Sequence, residues 1–170
     1  MRLAKDLFAI TLIIGITLGI VNIPGYYGKS IQIAIAAISI SFTSINLILR
    51  KHIVFKSYFT SNLNILTSKK KSTLELDFDS ELVFGKILEI AKEGKHKLRH
   101  ADSIKKSILL TTPVSWKSWG ENIYIDIEVA PQNKSKVTIQ SATLFQSYSW
   151  GKNEENLEKL AKSIDNSLII

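Results

Sequence analysis

The order of apolar and polar residues separates the chain into a mostly apolar beginning and a mixed remainder. Two stretches without any charged residue, 7–23 and 31–49, contain 17 and 19 residues. As helices they would be about 26 and 29 Å long, close to the hydrocarbon thickness of a bilayer. Pro24 and Gly25 lie between them and favour a turn. The pattern predicts a transmembrane helical hairpin over residues 1–50.

A cleaved signal peptide is the alternative interpretation of the first apolar stretch. Arg2 and Lys5 precede this stretch, as basic residues do in a secretory signal. However, no small-x-small cleavage site closes it, and a second apolar stretch follows almost at once. The hairpin is therefore the preferred interpretation.

Small residues recur inside both predicted spans. Gly15 and Gly19 form a GxxxG pattern in the first span, and Ala37 and Ser41 lie close to one stripe of the second. Small side chains let two helix backbones approach closely in lipid, where the hydrophobic effect does not drive association. We expect these residues to pack the two helices of the hairpin together. The alternative is a seam between two copies of the chain.

Positive charges flank the predicted spans unevenly. Lys29 alone lies in the connection, whereas five other basic residues precede the first span or follow the second: Arg2, Lys5, Arg50, Lys51 and Lys56. Basic residues in short flanking segments mark the cytoplasmic side. The sequence thus predicts an integral membrane protein of the bacterial inner membrane, or an organellar equivalent, with both termini cytoplasmic.

A basic segment, 51–71, connects the predicted hairpin to the rest of the chain. Together with Arg50 it contains six basic residues and no acidic one. Its apolar residues recur at helical spacing, which predicts an amphipathic connector beside the membrane. Residues 72–170 contain 13 basic and 14 acidic residues, so nucleic acid is not an expected partner. Three lysines are candidate contacts for lipid headgroups, unless they serve only to fix the topology: Lys69, Lys70 and Lys71.

Residues 72–170 are predicted to form one α+β domain. Alternation of apolar and polar residues predicts strands, as in 72–79, and apolar residues at helical spacing predict a helix from Ser80 to Gly94. The complete order is strand, helix, four strands and helix (β-α-β-β-β-β-α). Short turns between consecutive strands predict an antiparallel sheet with both helices on one face. The alternation assigns these residues to the inner face of two strands: Ile123, Ile125, Ile127, Val129, Val137, Ile139 and Ser141.

The strand "SKVTIQSATL" is followed by "SWGKNEENLEKL", in which Asn153 suits a helix N-cap and Gly151 allows a turn that brings Trp150 to the core. This pattern resembles an uncharacterised bacterial family, domain of unknown function fourteen-ninety-nine. There, a strand reading approximately R-V-D-V-R-S-A-S runs into a D-L-G-x-N turn and a helix. "SWGENIYIDI" lies where that family has a loop and a charged strand start. Trp150 stands in place of the family's leucine and Ser149 in place of its aspartate. The resemblance covers roughly residues 74–164 and implies a fold but no established reaction.

Residues suited to catalysis or metal binding are few. The chain has no cysteine. His96 and His100 are four residues apart, but Gly94 should end the helix before them, and no carboxylate stands at ligand spacing. Asp126 and Glu128 alternate along a strand as surface carboxylates do, and no glycine-rich phosphate-binding motif is present. The sequence therefore predicts no catalytic residue, no cofactor, no metal site and no enzymatic activity.

Three tryptophans fall in predicted loops, where large aromatic side chains are costly unless they are buried or in use. Trp116, Trp119 and Trp150 are therefore candidate contacts for a ligand or partner; the alternatives are a plug for the core or a dip into the membrane interface. The function expected from these features is a membrane-anchored, non-catalytic assembly module that holds another membrane or membrane-associated protein at the cytosolic face. The alternative is a tethered domain that binds a lipid or another hydrophobic ligand.

Overall fold

The computed structural model describes residues 15–19, 28–47, 67–115, 118–143 and 146–168. The chain divides into two compact units, Met1–Arg50 and Lys51–Ile170. The elements in chain order are α1 (Lys29–Leu47), β1 (Lys69–Leu76), α2 (Ser80–Glu93), β2 (Lys97–Asp102), β3 (Ser107–Thr111), β4 (Asn122–Ala130), β5 (Lys134–Ala142) and α3 (Lys152–Leu168).

The N-terminal unit contains α1, which begins directly after Gly28. The carbonyl of Gly28 accepts hydrogen bonds from the backbone N–H groups of Ile31 (3.0 Å) and Gln32 (3.2 Å). Eight of the 19 residues of α1 carry polar side chains, and these dilute its isoleucines. Across the described ranges, no helix is both long and apolar enough to cross a bilayer. The predictions of a transmembrane hairpin and of an integral membrane location are therefore wrong for these residues.

Much of the first predicted span lies outside the described residues, which include only 15–19 of it, in helical conformation. A Cβ atom added to Gly15 or Gly19 would meet no described atom within 4 Å. Ala37 and Ser41 are exposed on α1. Helix packing through these small residues stays a prediction.

The C-terminal unit contains a five-stranded sheet in the order β1-β5-β4-β3-β2. Every neighbouring pair of strands is antiparallel. The predicted order of strand, helix, four strands and helix is confirmed in this unit. The α+β assignment is therefore right for the C-terminal unit, although the hairpin predicted before it is not.

One face of the sheet and the two helices α2 and α3 enclose the hydrophobic core. Alternation along β4 and β5 turns every second side chain toward the helices. The core therefore contains Ile123, Ile125, Ile127, Val137 and Ile139 from these strands, and Val83, Ile87, Leu160 and Ile164 from the helices. Val129, predicted to face inward, is 79% exposed. It lies at the far end of β4, next to the turn into β5.

The first strand starts earlier than the alternation predicts. Lys69, Lys70 and Lys71 belong to β1 and pair with Ala142, Ser141 and Gln140 of β5. The last three residues of the predicted connector are therefore sheet residues, while 51–66 lies outside the described residues.

Asp79 and Gly94 cap the two ends of α2. One side-chain oxygen of Asp79 accepts hydrogen bonds from the N–H groups of Glu81 (2.8 Å) and Leu82 (3.2 Å). At the other end, the N–H of Gly94 donates to the carbonyl of Ile90 at 2.8 Å. The helix thus begins after Asp79 and ends at Gly94.

The hairpin between β2 and β3 turns at residues 103–106. Asp102 stabilises this turn, because its Oδ1 accepts hydrogen bonds from the N–H groups of Ile104 and Lys105, each at 3.0 Å. The bond from Lys105 is the largest of the influences that lower the pKa of Asp102.

Candidate functional site

A cleft of about 460 Å³ lies beside α3 in the C-terminal unit. Three segments of the chain line it: the end of α2 and the residues after it, the segment that follows β3, and one side of α3. Ile90 and Pro113 give it apolar surface, with the buried Leu160 behind them, and Thr112 and Asn156 add polar groups. The cleft thus combines apolar contact area with a few polar groups, as small-molecule sites usually do.

Basic side chains dominate the charge of the cleft. Among the described residues, its lining includes one glutamate, Glu155, and four lysines: Lys95, Lys152, Lys159 and Lys162. Glu155 accepts hydrogen bonds from Lys159 Nζ at 2.6 Å and from Lys152 Nζ at 2.9 Å. These two bonds lower the pKa of Glu155 to about 2. The lining carries an excess of positive charge, which favours an anionic ligand group.

Replacing Glu155 with glutamine is expected to lower the free energy of unfolding by about 0.5–1 kcal/mol near neutral pH, because partly exposed ion pairs are screened by solvent. The folded-state pKa lies below the ordinary value of 4.5, so the carboxylate stabilises the fold above about pH 4.5. This stabilisation is lost as the pH falls toward 2. Urea unfolding of the wild type and of Glu155→Gln from pH 7 to pH 2.5 measures the difference.

Glu158→Gln is the matched control, since Glu158 is exposed on the same helix and forms no ion pair with a described residue. It should change the unfolding free energy little at any of these pH values. A difference between Glu155→Gln and wild type that grows as the pH falls would contradict the ion-pair assignment.

Behind the cleft, polar side chains form a connected and buried group between α3 and the sheet. We call it the inner polar cluster: Ser68, Thr112, Glu121, Ser141, Asn153 and Asn156. Glu121 is fully buried. Its Oε2 accepts hydrogen bonds from the Thr112 hydroxyl and from Asn156 Nδ2, the latter at 3.1 Å. The carboxyl group is therefore joined directly to two residues that line the cleft.

The rest of the inner polar cluster links α3 to β1 and β5. The hydroxyl of Ser141 donates to Asn153 Oδ1 at 2.8 Å, and Asn153 Nδ2 donates to the hydroxyl of Ser68 at 3.1 Å. Asn156 Nδ2 also lies 3.4 Å from Ser141 Oγ. These bonds join the first turns of α3 to the sheet.

Strand phase explains why these polar groups point inward. Glu121 precedes β4 and is two residues before Ile123, so it continues the face that carries the buried isoleucines. Ser141 continues the inner face of β5 in the same way, beyond Ile139. The alternation predicts Ser141 on the inner face, and the same phase applies to Glu121, which stands two residues before Ile123. An acidic residue in phase with a buried apolar row was the sequence signal for this site.

Asn153 has a different role from the N-cap that the sequence predicts. The helix already begins at Lys152, and Asn153 is fully buried in the inner polar cluster. At the helix start, the N–H of Lys152 donates to Ser149 O at 2.9 Å, and that of Glu155 donates to Gly151 O at 3.0 Å. The prediction of the cap is therefore wrong by about two residues, because a short polar side chain can serve either a cap or a buried network.

The predicted tryptophan contacts do not line the cleft where they are described. Trp150 is 63% exposed, so it does not plug the core, and its ring packs edge-on against Tyr148 with centroids 5.1 Å apart. A left-handed turn, with φ of 50° at Trp150 and 75° at Gly151, holds this aromatic pair at the surface. Trp119 is half-buried, and its backbone N–H donates to Gln146 Oε1 at 3.3 Å. Trp116 lies outside the described residues, and a contact role for the three tryptophans stays a prediction.

The remaining candidate residues lie apart from one another. Lys70 is at the surface of β1 and forms an ion pair with Glu154 at 3.3 Å. His96 lines the cleft, whereas His100 is exposed on β2. In the described part of the chain, no group of three or more histidine, aspartate or glutamate side chains is arranged to hold a metal ion.

No protein-family model matches this chain, and no curated protein sequence does. Among solved structures, Ara h 8.0201 is similar with 8% identity, 59% of this chain and 94% of that chain covered, and a TM-score of 0.47. An Arabidopsis thaliana member of the major latex protein family has 8% identity, 64% and 98% coverage, and a TM-score of 0.47. The Streptomyces Zhui aromatase/cyclase has 9% identity, 59% and 88% coverage, and a TM-score of 0.38. These TM-scores are too low to assign a ligand or an activity to this chain.

Proposed function

We propose that the C-terminal unit binds a small amphiphilic molecule that carries an anionic group. Its apolar part occupies the cleft beside α3, and its anionic group contacts the lysines around the cleft. The observation that carries this proposal is the combination of apolar surface and excess positive charge in one cleft of about 460 Å³.

The size and chemistry of the cleft support this class of ligand. Clefts of roughly 300–1,000 Å³ hold most small-molecule ligands in proteins. Ile90 and Pro113 offer apolar contacts, and the methylene stems of the lysines extend this surface. Two of the four lysines share Glu155, so the positive charge is only partly neutralised within the cleft. An uncharged apolar ligand would leave that excess charge unused.

The other function expected from the sequence, a membrane-anchored assembly module, is not carried forward. Its anchor depended on the transmembrane hairpin, and none of the helices described can span a bilayer. The exposed pair of Tyr148 and Trp150 is the feature that an assembly function would use, but no observation identifies a partner for it.

The proposal is tested by displacement of a fluorescent fatty acid, 11-(dansylamino)undecanoate, from the full-length chain by dodecanoate. Wild type is expected to bind both. The double variant Lys159→Gln and Lys162→Gln should bind dodecanoate about tenfold more weakly, because each lysine contributes roughly 0.5–1 kcal/mol to a partly exposed charge contact. Methyl dodecanoate, which has the same chain without the charge, should bind both proteins equally.

The matched control removes two exposed lysines outside the cleft, Lys92 and Lys105, so that the net charge changes by the same amount. This control should keep the wild-type affinity. No binding to wild type, or an equal loss in both double variants, would overturn the proposal.

A further inference from the structure

We infer that Glu121 is a polar anchor for the buried end of the ligand, where its carboxyl group accepts a hydrogen bond from a ligand hydroxyl. This inference rests on the proposed function and makes it more specific. The ligand class becomes an amphiphile with an anionic group near the lysines and a hydroxyl group at the opposite, buried end.

Glu121 lies directly behind residues that line the cleft. Its side chain is fully buried, and its Oε2 is hydrogen-bonded to Thr112 and Asn156. Both of these residues line the cleft. The carboxyl group therefore lies one hydrogen bond behind the cleft wall, and it is the acidic group of the inner polar cluster.

The two carboxyl oxygens of Glu121 differ in their hydrogen bonds. Oε2 has two donors, whereas Oε1 is buried and has no hydrogen-bond partner among the described residues. No described lysine or arginine forms an ion pair with Glu121 either. An unpartnered acceptor on a buried carboxyl group is costly, and a donor that reached it would remove this cost.

The charge of the cleft decides which donor fits. A cationic donor would have to pass the lysines at the cleft and would be repelled by them. A neutral hydroxyl is not repelled, and the apolar chain that carries it gains contact with Ile90 and Pro113. In the proposed complex, the anionic group of the amphiphile contacts the lysines and its chain contacts the apolar surface. Its hydroxyl group donates a hydrogen bond to Oε1 of Glu121.

The experiment compares dodecanoate with 12-hydroxydodecanoate on the full-length chain, by the same displacement assay. Wild type is expected to bind the hydroxylated ligand about tenfold more tightly, since a donor that reaches Oε1 removes the cost of a buried oxygen without a hydrogen-bond partner. In Glu121→Gln, the amide oxygen keeps the contacts with Thr112 and Asn156, and the NH₂ group replaces Oε1. The acceptor becomes a donor, and the oxygen of a hydroxyl or of a ketone can accept from it. In Glu121→Gln, 11-oxododecanoate is therefore expected to bind about as tightly as 12-hydroxydodecanoate, whereas wild type should bind the ketone no more tightly than dodecanoate.

The controls separate this inference from the proposed function. The double variant Lys159→Gln and Lys162→Gln should weaken both ligands while keeping the preference for the hydroxyl. If wild type binds dodecanoate and 12-hydroxydodecanoate equally, or if Glu121→Gln still binds 12-hydroxydodecanoate much more tightly than 11-oxododecanoate, Glu121 serves only to hold Thr112 and Asn156, and the inference fails while the proposed function stands. If neither ligand binds wild type, both proposals fail. Should Glu121→Gln not fold, Glu121→Asp withdraws the carboxyl by one methylene and must also reduce the preference.

Discussion

Replacing Leu110 with alanine is expected to lower the free energy of unfolding of the C-terminal unit by about 2–5 kcal/mol. Leu110 is fully buried in β3, where it is paired in register with Leu98 of β2 and Ile123 of β4. Its side chain belongs to the core that the sheet forms with α2 and α3. Truncation removes buried methyl groups and leaves a cavity that a strand held on both sides cannot close. Urea unfolding of the full-length chain, followed by circular dichroism, measures the loss as a shift in midpoint.

The matched control makes the same chemical change at an exposed site. Leu82 lies in the first turn of α2 and is 44% exposed. Leu82→Ala should change the unfolding free energy by less than about 1 kcal/mol, because less apolar surface is removed from contact and alanine favours the helix slightly. Equal losses in the two variants would show that Leu110 is not a tightly packed core residue.

The strands of the C-terminal unit could be predicted because one face of the sheet is buried and the other is not. This produces a period of two in the sequence, and Ile123, Ile125 and Ile127 follow it in the core as predicted. The same rule fails at Val129, which is in phase but exposed at the end of β4. Periodicity identifies which face a residue is on, but it contains no information about how far the covering helices extend.

The candidate site was harder to predict because it depends on residues that break the pattern. Glu121 is in phase with the buried isoleucines, yet an acidic side chain is normally assigned to the surface. Asn153 and Asn156 are buried on α3 for the same reason that Glu121 is tolerated, namely hydrogen bonds within the inner polar cluster. The partners of such residues come from distant parts of the chain. Their pairing follows from the antiparallel register and not from any local signal.

The cleft and the hydropathy of α1 also do not follow from a local sequence pattern. The cleft is assembled from three segments, around residues 90–96, 112–115 and 152–166, none of which contains a recognisable motif. The isoleucines of α1 favour a membrane span, but the polar residues between them lower the mean hydropathy of the helix. The tryptophans were the predicted contacts, whereas lysines line the cleft and a buried glutamate lies behind it.

Replacing Gly94 with alanine is expected to lower the free energy of unfolding by about 1–3 kcal/mol. A Cβ atom at this position would lie 2.7 Å from the carbonyl oxygen of Ile90, which is closer than real Cβ atoms approach. That oxygen belongs to the backbone and accepts the hydrogen bond that ends α2, so it cannot move away without weakening this bond. The φ angle of Gly94 is −77°, which any residue can adopt. Lack of space, and not backbone conformation, therefore requires glycine here.

Gly85 provides the opposite case within the same helix. A Cβ atom added there would meet nothing within 4 Å, and Gly85 lies in the interior of α2, where glycine has a low helix propensity. Gly85→Ala should therefore raise the unfolding free energy by about 0.5–1 kcal/mol. Thermal unfolding of both variants beside wild type should show melting temperatures that move in opposite directions. If Gly94→Ala were as stable as wild type, the carbonyl of Ile90 could move freely, and the helix end that forms one wall of the cleft would be less firmly fixed than its hydrogen bond indicates.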